Sequence, residues 1–182
     1  DPWNDKFIDE SVYPGLKPYP EGLTNELVSV FRTRPPEYPW KNNDFTVPAR
    51  DTLVIYEMLV RDFVATHTFK TVRDTLDYLK RLGVNAIELM PVNEFEGNSS
   101  WGYNPSMYFA VDKYYGTPDD LKELIDECHG RGIAVIMDIV LNHSYNSNPL
   151  VRLYWNSTNN QPAANNPWFN VTTPHYYSFG GS

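Results

Sequence analysis

Gly132-Ile133-Ala134-Val135-Ile136-Met137-Asp138-Ile139-Val140-Leu141-Asn142-His143 is the stretch whose reading decides the fold. From Ile133 to Val140 both alternating sides are apolar except at Asp138. That pattern belongs to a strand covered on both faces, as in a parallel sheet flanked by helices. The residues just before it supply such a helix. Thr117-Pro118-Asp119-Asp120 combines an N-cap hydroxyl, a proline in the first turn and two acids at the positive end of the helix dipole. Leu121, Leu124, Ile125 and Cys128 then recur at helical spacing until Gly130 and Gly132.

Working upstream, the same unit appears again. Ala86-Ile87-Glu88-Leu89-Met90-Pro91-Val92 reads as a second short strand, preceded by a helix expected to open at Thr71 and to stop at Gly83. Val72, Leu76, Leu79 and Leu82 line one face of that helix. Leu53-Val54-Ile55-Tyr56, extended by Met58-Leu59-Val60, reads as the first strand. Strands that alternate with helices in this way build an α/β fold with a parallel sheet.

The flanks differ from this central part. Residues 1–52 carry 8 of the 15 prolines, too many for a helix or central strand, and read as an arm. Its Trp3, Phe7, Tyr13, Tyr19, Tyr38 and Trp40 imply that it packs on something. Residues 144–182 are rich in Asn, Tyr and Trp, with Arg152 as the one fixed charge, and read as a loop insertion of functional length with turns such as Gly180-Gly181.

Composition narrows the function classes. With 41% hydrophobic residues in 182, the chain is too apolar for a disordered segment, and it holds no run long enough for a membrane span. A formal charge of −8 without a basic cluster excludes a nucleic-acid partner. The single cysteine, Cys128, forms no internal disulfide and sits in no zinc-type spacing. No leader is visible in the first residues, and cysteine poverty fits a secreted or periplasmic enzyme without fixing the compartment.

In parallel α/β folds ligands bind beyond the C-terminal ends of the strands. Those ends carry Arg61-Asp62-Phe63, then Asn93, Glu94 and Glu96, then Asn142-His143-Ser144. Ser100-Trp101-Gly102-Tyr103-Asn104-Pro105 adds two aromatic rings and an amide to the same mouth. Rings beside amides and carboxylates suit a sugar, whose C–H face packs on a ring while its hydroxyls bond in plane.

Trp101-Gly102-Tyr103-Asn104-Pro105, then Tyr115-Gly116-Thr117-Pro118-Asp119-Asp120-Leu121-Lys122, then Asp138-Ile139-Val140-Leu141-Asn142-His143 closely resemble the α-amylase family, glycoside hydrolase family 13. The form of the first motif is most similar to the pullulanase, isoamylase and branching-enzyme side. The resemblance implies a partial (β/α)8 barrel: 1–52 as an arm following a β-sandwich module, 53–143 as three strands and two helices of the catalytic barrel, and 144–182 as the start of a B-type loop insertion. It implies that Tyr103 stacks under the sugar, that His143 hydrogen-bonds the same sugar, and that Asp138 and Trp101 are structural within the site. Asn142 matches a calcium-ligand position, so a Ca2+ ion is implied for the whole enzyme, although one neutral oxygen and an acid-free insertion require none of this chain. Glu94 and Glu96 match no catalytic position and read as solvated loop acids.

The family's nucleophile, acid/base and third carboxylate have no counterpart motif here, and no His-Asp dipeptide occurs. The expected partners are α-glucan oligosaccharides and the remainder of the barrel. The expected function is therefore part of a retaining α-glucan-active glycoside hydrolase that supplies binding residues and is inactive alone. Alternatives are a glucan-branching transferase or the non-catalytic amylase-like domain of a transporter heavy chain. A free-standing glucan-binding module is disfavoured, because three open strands expose apolar edges.

Overall fold

The computed structural model describes residues 1–172; the Gly180-Gly181 turn lies outside the described residues. The first unit comprises β1 (Ile55–Met58), a helical turn α1 (Val60–Phe63), α2 (Phe69–Asp74) and α3 (Leu76–Arg81), leading to β2 (Ala86–Leu89). Two further strands, β3 (Asn93–Phe95) and β4 (Pro105–Val111), precede α4 (Pro118–Gly130) and β5 (Ala134–Met137). Three short elements close the described chain: α5 (Pro149–Arg152), β6 (Trp155–Asn156) and β7 (Gln161–Pro162).

The three expected strands form one parallel sheet in the order β1-β2-β5, in register from Ile55↔Ala86↔Ala134 to Met58↔Leu89↔Met137. Met58, Ile87 and Leu89 point into a core shared with Val72, Leu76, Leu79, Leu124 and Cys128 of the helices. Alternation places Glu57, Glu88 and Ile136, in register with one another, on the other face. This is part of an α/β barrel wall. β1 and β5 are its two edges, and Val54, Ile55, Met137, Ile139 and Leu141 at or just beyond them are exposed. The regular strands are shorter than the apolar runs because β2, the shared neighbour, pairs through four residues. Single bonds continue the ladder beyond them, Ala86 N–H to the Val54 carbonyl and Asp138 N–H to the Leu89 carbonyl.

Helix α4 starts as its sequence dictates. Thr117 Oγ1 accepts from Asp120 N–H at 3.1 Å and the Asp120 carboxylate accepts from Thr117 N–H at 2.9 Å, a complete capping box. The helix expected from Thr71 to Gly83 differs in two respects. It begins at Phe69, because the Thr68 side chain accepts from Thr71 N–H. It also divides at Thr75, whose hydroxyl donates back to the Val72 carbonyl at 2.7 Å, a local bond that bends the helix into α2 and α3.

The antiparallel β3–β4 pair lies where only loop was expected, its register shifting twice within three residues. It buries Glu94, an acid that the sequence suggested was solvated, and Asp112 beside it. Glu94 is 5% exposed and pairs with Lys113 at 2.7 Å, and Lys113 reaches Asp5 of the arm at 3.3 Å. Asp112 is 2% exposed and accepts from the N–H groups of Tyr114 and Phe95.

The arm is fastened to α4 by Asp126, 1% exposed, whose carboxylate accepts from the N–H groups of Lys41 and Asn42. Phe45 stacks on His129 at 4.1 Å. The expected aromatic packing is partial, since Trp3, Phe7 and Trp40 are exposed.

Burial, and next to it the Glu94 charge, push the Asp112 carboxyl well above the usual carboxylate range. Between its unfolded value of about 3.9 and the raised folded value, the native state binds more protons than the unfolded state, so this group costs stability as pH rises. Relative to the wild type, Asp112→Asn should therefore become progressively more stable from pH 4 to pH 7 in denaturant titrations. A stability difference that stays constant with pH would contradict this.

Candidate functional site

The loop after β2 is held from both sides before it presents its aromatic residues. Arg61, in α1 just past the end of β1, pairs with Asp62 at 2.6 Å and donates to the carbonyls of Ser99 and Ser100. Glu96 Oε1 accepts from Ser100 Oγ at 3.0 Å and from Asn104 Nδ2 at 2.8 Å, so this acid organises the loop rather than facing solvent. Gly102 sits at φ +92°, and a Cβ there would lie 2.4 Å from the Pro91 carbonyl oxygen. The backbone can enter this turn only as glycine.

The turn delivers Tyr103 to the end of β5. Its phenol donates to Asp138 Oδ2 at 2.8 Å. Burial, followed by the Asp138 hydrogen bond and charge, pushes the phenol up to about 12, with Glu57 and Glu88 adding to the effect. Tyr103 is therefore a protonated donor at any ordinary pH. Asp138, half-buried one residue past β5, thus has the partner that its position in an apolar run demands.

His143 completes the group. Its Nε2 donates to the Tyr103 carbonyl at 2.7 Å, and Tyr108 of β4 donates its phenolic hydrogen to the His143 carbonyl at 2.8 Å. Nδ1 is buried without a protein partner among the described residues. The held nitrogen is thus Nε2, as donor, and Nδ1 is the nitrogen left for a ligand. The structure thus brings Tyr103, Asp138 and His143 into one hydrogen-bonded cluster. Trp101 is 62% exposed and joins none of these bonds. Tyr108 escaped the sequence reading because the β3–β4 pair did, and its alternating Ser106-Met107-Tyr108 stretch is the one available signal.

The side chains described around the implied calcium position do not by themselves make up a calcium shell. Asn142 is exposed, residues 144–182 contain no acid, and among the described residues no three His, Cys, Asp or Glu side chains gather to hold a metal. A calcium shell of six to eight oxygens cannot be filled by these side chains.

Comparison with known proteins agrees with the geometry. The family model described as alpha amylase, catalytic domain, matches residues 59–179. The chain belongs to the alpha-amylase family. It is 39% identical over 132 residues to a malto-oligosyltrehalose trehalohydrolase of Saccharolobus solfataricus, covering 71% of this chain and 22% of that protein. A 1,4-alpha-glucan-branching enzyme of Yarrowia lipolytica is 40% identical over 118 residues, covering 60% of this chain and 17% of that enzyme. Among solved structures, a Salmonella typhimurium protein classed as an alpha amylase superposes with a TM-score of 0.62 at 36% identity, covering 74% of this chain and 23% of that one. An alpha-amylase from Lactobacillus plantarum gives 0.53 at 31%, covering 57% and 26%. The chain thus spans about a fifth of the length of the curated relatives it matches. Its parallel β1-β2-β5 sheet is part of the family barrel.

Gly102 is the position at which the site is most sensitive to a single methyl group. Gly102→Ala should cost about 2 kcal/mol or more in denaturant unfolding, because both the positive φ and the Pro91 contact must be relieved. A variant within about 0.3 kcal/mol of the wild type would contradict the close approach.

Proposed function

We propose that this chain is the sugar-positioning part of the catalytic barrel of an enzyme that hydrolyses α-glucans with retention. The observation that carries the proposal is the cluster of Tyr103, Asp138 and His143 at the C-terminal ends of parallel strands. In this reading the Tyr103 ring packs against one face of the sugar. Its phenol, committed to Asp138, fixes the angle of the ring. His143 Nδ1 accepts from a sugar hydroxyl, and its other nitrogen is anchored by the Tyr103 carbonyl. Asp138 and Trp101 shape the site without touching the bond that breaks.

Retaining hydrolysis needs two carboxyl groups about 5–5.5 Å apart across the scissile bond. No motif of this chain provides them, so the reacting acids come from the remainder of the barrel, which also covers the exposed edges of β1 and β5. Any calcium ion would need backbone carbonyls or residues beyond this chain. The substrate class is a malto-oligosyl chain, in keeping with the names of the trehalohydrolase relatives. Branching transfer is the second reading, favoured by the name of the Yarrowia relative. There the same contacts hold the donor and a glucan hydroxyl replaces water.

In the whole enzyme, Tyr103→Ala and His143→Ala should each lower kcat/KM on malto-oligosaccharides by about 30- to 1000-fold, equivalent to roughly 2–4 kcal/mol. The 182-residue chain alone should turn over no substrate. Unchanged kinetics in both variants, or turnover by the lone chain, would refute the assignment.

A further inference from the structure

The segment after β5 carries a pair of rings that the cluster around Tyr103 does not use. Tyr154 and Trp168 meet edge to face, with centroids 5.7 Å apart and planes at 65°. They are 37% and 52% exposed. One side chain holds them in place. Asn166 Oδ1 accepts from the N–H groups of Trp168 at 2.8 Å and Phe169 at 2.9 Å. Its Nδ2 donates to the carbonyls of Leu150 at 3.2 Å and Tyr154 at 3.4 Å. The Tyr154 carbonyl also accepts from Ala163 N–H at 2.8 Å, at the base of the β6–β7 hairpin. The two backbones are therefore tied together before any ligand arrives, which lowers the ordering cost of binding.

Charge selects the ligand class. Residues 144–182 hold one fixed charge, Arg152, which is paired with Glu26 at 2.8 Å and lies 5.0 Å over the Trp155 ring. Residues 144–182 themselves supply no second fixed cation for a phosphate or carboxylate and no acid for a basic peptide. Exposed rings set at an angle match a neutral, polyhydroxylated ligand with an apolar C–H face.

We propose that Tyr154 and Trp168 form a second contact surface for the α-glucan chain, additional to Tyr103 and His143. This inference rests on the α-glucan reading above. The test is electrophoresis of the whole enzyme through gels containing soluble starch, with turnover of malto-oligosaccharides measured in parallel. Trp168→Ala and Tyr154→Ala should each weaken the starch-dependent retardation roughly tenfold, with an unchanged circular dichroism spectrum, and Trp168→Phe should restore most of it. If Trp168→Ala fails to fold, Tyr154→Ala and Trp168→Phe decide the matter. Wild-type retardation in Tyr154→Ala and Trp168→Ala, from an enzyme that turns over malto-oligosaccharides, would overturn the second surface alone. A wild type that neither turns over nor is retarded by any glucan would overturn both readings.

Discussion

The hydrogen bond from Tyr103 to Asp138 is the constraint on which the rest of the site depends. A carboxylate one residue past β5 interrupts an otherwise apolar run and must find a donor. The donor comes from a different loop, after β2, and the 2.8 Å contact fixes where that loop can lie. His143 then follows from geometry, since its Nε2 is satisfied by the backbone of the same tyrosine. Three residues, 40 positions apart at most, thereby share one point in space.

The remainder of the structure can be seen as support for that contact. The parallel register of β1, β2 and β5 brings the strand ends to one side. Arg61 and Glu96 hold the shoulders of the loop, and Gly102 lets it pass the Pro91 carbonyl. Tyr108, delivered by the β3–β4 pair, steadies the His143 backbone. Farther out, Asp126 and Lys113 bind the proline-rich arm to α4 and to β3.

Much of this was legible in the sequence where a local rule acts alone. Apolar runs gave three parallel strands, and Thr117-Pro118-Asp119-Asp120 gave the start of α4, because pattern and cap agree there. Local rules failed where two residues compete. Thr68 displaced Thr71 as the cap, and the Thr75 hydroxyl broke a helix whose apolar spacing was unbroken. Glu94 and Glu96 looked solvated because their partners, Lys113 and Asn104, are distant or point back across a turn that spacing does not reveal. Tyr103, Asp138 and His143 could be picked out by motif, but which imidazole nitrogen is held is a matter of three-dimensional placement.

A double-mutant cycle on Tyr103→Phe and Asp138→Asn in the whole enzyme, read as kcat/KM on a malto-oligosaccharide, tests the central claim most directly. If the phenol and the carboxylate act as one unit, the second substitution adds little to the first and the coupling energy is about 1 kcal/mol or more. Losses that add to within about 0.3–0.5 kcal/mol would show that the contact does not organise the site.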